Sequence, residues 1–363
     1  MADFGVYIHV PFCSRRCDYC AFATWDDRHH LQVTYMEALA TEIRRAVDQG
    51  LPPAHTVFVG GGTPSLVDPE LLAGVLQLIP MERSDPRLEV TVECNPDNVT
   101  TAMLRTYRDA GVNRVSLGVQ SMVHHVLAAL GREHDPDNVV RAVEAIREVG
   151  LPTFNMDLIY GAHGESVGDW ETTLRRALEL APPHVSAYGL TVEPGTPLAE
   201  DPPRHPDDDD QADKYPLANR RLESVGLLNY EISNWALPGH ESRHNRLYWA
   251  QCDYRGFGCA AHSHSSGRRW WNVRTPERYI DVVTRGESTE AASETLDEEQ
   301  IVAERVQLTL RRREGVLLSD LPGDPTTVIE ELTADGLVEV KGDALVLTEA
   351  GRLLANAVTL RLI

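Results

Sequence analysis

Six short apolar runs recur through the first two-thirds of the chain: Phe4–Val10, Thr56–Val59, Leu88–Val92, Arg114–Gly118, Thr153–Leu158 and His184–Leu190. Each is rich in β-branched or aromatic residues and too short for a helix, so each reads as a buried strand. Amphipathic segments separate them. Tyr35–Val47 sets Met36, Leu39, Ile43 and Val47 at steps of three and four, one face of a helix. Met103–Ala110, Val139–Val149 and Trp170–Leu180 behave alike, and Gly111 and Gly150 stand where helix stops are expected. Such alternation demands parallel strands joined by helical crossovers. The expectation is an α/β fold, a partial (β/α)6 barrel; a flat doubly wound sheet is the alternative on pattern alone.

The placement of polar and glycine-rich elements favours the barrel, in which chemistry gathers at the C-terminal ends of strands. Cys13, Cys17 and Cys20 follow the first run and Gly60-Gly61-Gly62-Thr63-Pro64-Ser65 the second. Glu93 ends the third, Gln120 lies just past the fourth, Asp157 ends the fifth, and Tyr188 is near the end of the sixth.

The three cysteines have the spacing C-x3-C-x2-C. Three thiolates can hold three irons of a [4Fe–4S] cluster and leave the fourth open, whereas ferredoxin-type carriers ligate every iron. The other reading is a zinc site, which wants a fourth Cys or His at ligand spacing; His9 and His29 are near enough in sequence to be considered. Gly60-Gly61-Gly62 offers backbone that a ligand can approach closely, and no Gly-Lys-Ser/Thr follows to make it a phosphate loop. Glu93, Gln120, Arg132 and Asp157 form a set suited to a cofactor carrying a diol, an ammonium and a carboxylate, since acceptors serve the first two and a cation the third.

The formal charge of −21, from 34 Lys+Arg against 55 Asp+Glu, argues against non-specific binding to nucleic acid, whose phosphates require clustered basic residues. No apolar stretch is long enough for a membrane span and no signal peptide precedes the first run. Six cysteines, three of them in one loop, fit metal ligation in a reducing cytoplasm better than a disulfide framework. Asp207 to Asp210, in a Pro-rich stretch, are expected in a solvated loop.

The segments PFCSRRCDYCAF, FVGGGTPS, VTVECNP, GVNRVSLGVQSM, LGREHD, FNMDLIYG, HVSAYGLTVEPGTPL, YEISNWA and RHNRLYW resemble the oxygen-independent coproporphyrinogen-III dehydrogenase-like branch of the radical SAM superfamily, and within it the HemW-type heme chaperones. The resemblance implies a [4Fe–4S] cluster on Cys13, Cys17 and Cys20, with S-adenosylmethionine on the open iron. It further implies contacts to that cofactor from Tyr7, Tyr19, Gly61, Gly62, Thr63, Glu93, Gln120, Arg132 and Asp157. Two departures separate the chain from the dehydrogenases themselves: Phe22 stands where they carry a further cysteine, and only twelve residues precede Cys13.

The element His244-Asn245-x-x-Tyr248-Trp249 is similar to the signature of the chaperone branch, and an imidazole beside flat aromatic faces suits an iron porphyrin. His244 is therefore the expected heme contact, with His262 and Cys252 as rivals for the axial position. Beyond Ser265, Glu298–Leu310 reads helical, residues 316–332 suggest two short helices, and Leu337–Lys341 with Ala344–Leu347 a hairpin before a last helix from Thr348. This predicts a winged-helix-like module acting as a structural or substrate-covering cap rather than a DNA reader.

The organisation expected is thus a radical SAM core over 1–235, a chaperone-type extension over 236–297 and a C-terminal module over 298–363. The expected function is to bind heme and pass it to an acceptor protein, with a reductant for the cluster and with a homodimer open. The alternative is a radical SAM oxidoreductase acting on a tetrapyrrole, the dehydrogenase activity itself.

Overall fold

The structure, a computed structural model, describes residues 3–363. It begins with the expected alternation: β1 (Gly5–Val10), α1 (Gln32–Asp48), β2 (Thr56–Gly61), α2 (Pro69–Leu76), β3 (Glu89–Cys94), α3 (Thr101–Asp109), β4 (Arg114–Gln120), α4 (His124–Ala129), α5 (Pro136–Val149), β5 (Thr153–Tyr160), α6 (Val167–Glu179) and β6 (His184–Gly189). The six strands are parallel and lie in sequence order. A doubly wound sheet reverses its order at a switch point. Here there is no reversal, so right-handed crossovers put every helix on one side and the sheet curls around the other. The barrel is open, because β6 does not return to β1.

Strand periodicity divides the residues between two faces. Val6, Ile8, Val57, Val59, Val90, Val92, Val115, Leu117, Met156, Leu158 and Val185 are wholly buried in the layer between sheet and helices. The alternate positions point into the barrel and are polar: Thr91 and Glu93, Arg114 and Ser116, Asn155 and Asp157, His184, Ser186 and Tyr188 line a cavity of about 130 Å³. Strands β3 and β5 run one and three residues past Glu93 and Asp157, so these carboxylates lie inside the barrel mouth rather than at strand ends.

Next come α7 (Asp208–Glu223), β7 (Leu228–Glu231), β8 (Asn234–Ala236), α8 (Arg243–Trp249), β9 (Tyr254–Phe257), β10 (His262–Ser265), β11 (Arg268–Asn272), α9 (Pro276–Thr284) and β12 (Glu290–Thr295). They extend both edges of the barrel: β8 pairs antiparallel with β6, and β9 parallel with β1. The apolar core is continuous from Val6 to Val283. Glu42 of α1 ties this extension down, accepting from Gly258 N (3.0 Å), Asn272 Nδ2 (3.1 Å), Tyr279 Oη (2.6 Å) and Thr289 Oγ1 (2.7 Å).

The aspartate run is not a loop. Asp207 caps α7 by accepting from Asp210 N at 2.9 Å, and Asp208, Asp209 and Asp210 fill its first turn, where negative charge meets the positive end of the helix dipole. The side chain of Lys214, fully buried one turn on, contacts Asp210 at 2.6 Å and the equally buried Glu165 at 3.1 Å.

The last segment holds α10 (Glu298–Leu310), β13 (Val316–Leu317), α11 (Thr326–Ala334), β14 (Val338–Lys341), β15 (Ala344–Leu347), α12 (Glu349–Leu353) and α13 (Ala355–Leu362). Where two helices were expected over 316–332, the first is β13 followed by a single 3-10 turn at Leu318–Asp320. Val316 and Leu317 instead complete a three-stranded antiparallel sheet of order β13-β15-β14. This segment has an apolar core of its own, around Val306, Leu332, Leu345 and Val358. Among the described residues no helix is long and apolar enough to cross a membrane.

Candidate functional site

The cysteine loop leaves β1 at Pro11 and is held at both ends. Trp25 N donates to Pro11 O (2.8 Å) and Cys13 N to Trp25 O (3.0 Å), closing the loop into a clip. Arg16 donates to Cys20 O from Nε (3.3 Å) and Nη2 (3.1 Å), and Cys20 N donates to Cys17 O (3.2 Å). Side chains from elsewhere brace the outside: Arg204 Nη2 reaches Asp18 at 2.7 Å, and Arg15 pairs with Glu133.

Arg132 joins this loop to the barrel. Its Nη1 lies 3.6 Å from Cys17 Sγ and its Nη2 donates to Gly118 O at 2.5 Å. A Cβ on Gly118 would come within 2.9 Å of that guanidinium, so glycine is needed for the approach. Burial by itself lowers the Arg132 pKa, but the neighbouring Tyr19 phenol and Cys17 thiol hold it above the ordinary arginine value. Gln120, the last residue of β4, is left-handed (φ 59°) beside a register shift between Gly118 and Gln120. A non-glycine residue in this conformation is strained and marks a constrained position.

Gly60-Gly61-Gly62 is packed tightly against the cysteine loop. A Cβ on Gly62 would stand 2.6 Å from Phe12 O, and one on Gly61 2.5 Å from the His9 ring. The backbone N–H groups here have partners within the protein: Gly61 N donates to Glu93 Oε2 (3.1 Å), Gly62 N to Val10 O (2.8 Å) and Thr63 N to Phe12 O (2.7 Å). The triplet locks the root of the cysteine loop to β2, which is why it must be glycine.

Burial pushes the Glu93 carboxyl up to about 8, with Asp157 adding to the effect. Asp157 is likewise raised by burial, against hydrogen bonds from Ser116 Oγ (2.8 Å) and Asn155 Nδ2 (2.8 Å). Asn155 also accepts at Oδ1 against His184 Nδ1 (2.6 Å), and His184 Nε2 meets Tyr230 Oη (2.8 Å). Arg114, Asn155, His184, Ser116 and Ser186 were not among the expected site residues. The signal for them was present: Asn155 is two residues from Asp157, Ser116 and Ser186 stand in register with Glu93 and Asp157, and Arg114 and His184 lie two residues earlier on the same faces as those serines, on strands whose other face is apolar.

Among the described residues no three His, Cys, Asp or Glu converge on one point to hold a single metal ion. Zinc needs such convergence. His9, its candidate fourth ligand, has both nitrogens engaged, Nδ1 with Tyr7 Oη (3.0 Å) and Nε2 with Ala23 O (2.8 Å). A cubane takes its thiolates at three separate irons and so does not require them to converge on one point. Burial raises the Cys13 thiol to about 11 and raises Cys20 as well, so neither is charged at neutral pH without a metal.

His244, the expected heme contact, lies between α8 and β2. It is 1% exposed, with Nδ1 against Thr56 Oγ1 (2.8 Å) and Nε2 against Tyr248 Oη (2.8 Å), and its ring stacks on Phe58. Both nitrogens are satisfied, so as it stands it offers none to an iron; it braces α8 against β2. His262 is exposed and stacks on Trp271 at 5.6 Å.

Comparison with known proteins places this architecture. The heme chaperone HemW of Mycobacterium tuberculosis (strain ATCC 25618 / H37Rv) is 42% identical over 368 residues, covering 98% of this chain and 93% of that protein. The chain belongs to the HemW family. HemW of Bacillus subtilis (strain 168) is 34% identical over 98% of this chain and 97% of its own length, and HemW of Escherichia coli (strain K12) 39% identical over 71% of this chain and 69% of its own. Residues 7–177 match the radical SAM superfamily, the segment from β1 to α6. The solved structure of coproporphyrinogen III oxidase (HemN) from Escherichia coli superposes with a TM-score of 0.84 over 99% of this chain and 90% of its own, at 22% identity, which shows a shared fold. The chain thus carries a HemN-like radical SAM fold, and its expected site residues fall into two groups. Tyr7, Tyr19, Gly61, Gly62, Thr63, Glu93, Gln120, Arg132 and Asp157 gather with the cysteines about the barrel mouth, whereas His244 lies between α8 and β2.

Proposed function

We propose that this protein binds heme and hands it to an acceptor protein, using a [4Fe–4S] cluster and S-adenosylmethionine at the barrel mouth. The observation that supports it most is the similarity to HemW heme chaperones along nearly the whole chain. In this reading Cys13, Cys17 and Cys20 hold the cluster. The interior carboxyls Glu93 and Asp157, with Gln120, Thr63 and the Gly61–Gly62 backbone, receive the polar groups of S-adenosylmethionine, and Tyr7 and Tyr19 flank it. When bound, the cluster supplies a one-electron redox centre and an open coordination position.

What the chain itself contributes is exclusion and orientation. Glu93, protonated at neutral pH, can donate as well as accept. Arg132 puts a fixed cation beside a thiolate, and the Arg16 and Trp25 clips keep the loop from collapsing. The division into a core over 1–235, an extension over 236–297 and a winged-helix-like cap over 298–363 belongs to the same proposal, as do a cytoplasmic site of action, an external reductant for the cluster and dimerisation. The experiment is anaerobic reconstitution of wild type and Cys17→Ala, followed by heme titration and by incubation with coproporphyrinogen III, S-adenosylmethionine and reductant. We expect the iron, sulfide and charge-transfer absorption of wild type to be lost in C17A, stoichiometric heme uptake by wild type, and no porphyrinogen conversion. Conversion without a stable heme complex would reverse the assignment.

A further inference from the structure

A cavity of about 680 Å³ lies at the other end of the barrel. It opens where β3, β4 and β5 begin, at Glu89, Arg114 and Thr153, so the barrel stands between it and the cysteine loop. Its lining is unusual for a chain of net charge −21. Arg87, Arg114, Arg243, Arg246 and Arg312 face it, beside apolar surface from Leu88, Pro86, Pro152, Leu247 and Ala250.

The charges are unevenly paired. Arg114 is 2% exposed; it donates from Nη1 to His240 O (2.9 Å), and among the described residues no carboxylate pairs with it. Arg246 Nη2 (3.0 Å) and Arg312 Nε (3.4 Å) share a single carboxylate, Glu314. Arg243 is neutralised by Asp3 and Asp85. The acids of the lining are turned to backbone: Glu89 accepts from Arg243 N and His244 N (3.0 Å each), and Glu241 from Gly239 N (2.9 Å). Arg87 shares Asp85 with Arg243, so five arginines meet five carboxylates; within that balance Arg114 has no carboxylate of its own and Arg246 and Arg312 divide one, which leaves two places where a carboxylate of a ligand can be received.

His240 adds a metal-ligand group. Its Nδ1 is bonded to Thr153 Oγ1 at 2.9 Å, while Nε2 has no partner among the described residues. A ring held at one nitrogen and open at the other is how ligating histidines are set. Burial, with Arg114 adding, keeps this imidazole below its ordinary pKa and hence neutral, as an iron ligand must be.

Resting on the heme-chaperone reading above, we propose that this mouth, and not the His244 side of α8, is the heme seat. His240 Nε2 reaches the iron, and the two propionates of the porphyrin dicarboxylate lie on Arg114 and the Arg246–Arg312 pair. The porphyrin then rests on Leu88 and Leu247, and Cys252 lies at the rim of the same cavity. The cargo is thereby kept at the end of the barrel away from the cluster, open on the side from which an acceptor can take it.

The test is anaerobic heme titration of the reconstituted protein, following the Soret band, with H240A, R246A and C252A; iron and sulfide content reports that each variant folds with its cluster. We expect about tenfold weaker binding in R246A, the loss of one charged hydrogen bond, a changed Soret position in H240A, wild-type behaviour in C252A, and full iron and sulfide throughout. Metal-free protoporphyrin IX should feel R246A but not H240A. Wild-type heme binding in both H240A and R246A would overturn the seat while leaving the chaperone reading intact. A Soret change in C252A alone would overturn the iron ligand, and failure of the wild type to bind heme would overturn the function itself.

Discussion

The Arg132 guanidinium stands 3.6 Å from the Cys17 sulfur and 2.5 Å from the Gly118 carbonyl, so one side chain fixes the cysteine loop against the end of β4. Among the described residues it is the one full positive charge bonded to a sulfur of that loop. Arg132→Met keeps the volume and removes the charge. Cluster retention under chelator challenge should weaken by roughly tenfold, as for loss of an outer partner of a metal ligand. Unchanged retention of iron and sulfide would show the contact to be incidental.

Two glycine-to-alanine changes should move stability in opposite directions. In Gly62→Ala the new methyl meets backbone, 2.6 Å from Phe12 O, and cannot be accommodated by a rotamer; a loss of about 1–3 kcal/mol is expected, together with poorer cluster assembly because Cys13 follows Phe12 directly. Gly74, inside α2, has open space around its Cβ position. Gly74→Ala should gain about 0.5–1 kcal/mol from helix propensity. Urea unfolding of the metal-free protein measures both.

Lys214 and Glu165 form an ion pair whose side chains are fully buried, extended by Asp210. Lys214→Met leaves the Glu165 carboxyl buried and alone, at a cost of about 3–5 kcal/mol. The double variant Lys214→Met/Glu165→Gln should recover most of that loss. If it is no more stable than the single variant, the pair does more than neutralise itself.

Glu93 gives the apoprotein a pH dependence. Its carboxyl is raised from 4.5 to about 8, so the folded state binds a proton that the unfolded chain releases at lower pH. That contribution is complete below the unfolded pKa and fades as pH rises through about 8. The groups facing it are Asp157, Tyr7, Tyr248 and Cys94, all with raised pKa values, so none supplies a compensating cation. Between about pH 5 and 8.5 wild type should lose stability relative to Glu93→Gln; parallel curves would contradict the assignment.

The barrel was legible because its strands announce themselves twice, as apolar runs and by the polar or glycine-rich element at the end of each. The cysteine spacing and the glycine triplet marked the mouth in the same way. Other features depended on partners distant in sequence. His244 has the chemistry of a ligand, and its contact with Thr56, 188 residues away, is one that no local pattern shows. Asp207–Asp210 resemble a loop when charge and proline are weighed above capping, yet four aspartates ahead of Lys214 suit a helix start. Val316 and Leu317 read as helix because their strand partner, Leu345, lies beyond the reach of a local pattern. The cavity around His240 is assembled from strand starts, α8 and Asp3, and no single segment carries it.

The most direct measurement of the central claim is a heme titration of the anaerobically reconstituted protein, followed by transfer to an apo-hemoprotein and by assay of 5′-deoxyadenosine with coproporphyrinogen III. Saturable uptake of one heme per chain, its release to the acceptor, and no substrate-dependent deoxyadenosine is the predicted result. Deoxyadenosine formed in step with coproporphyrinogen conversion, with no stable heme complex, would contradict it and make the chain a dehydrogenase.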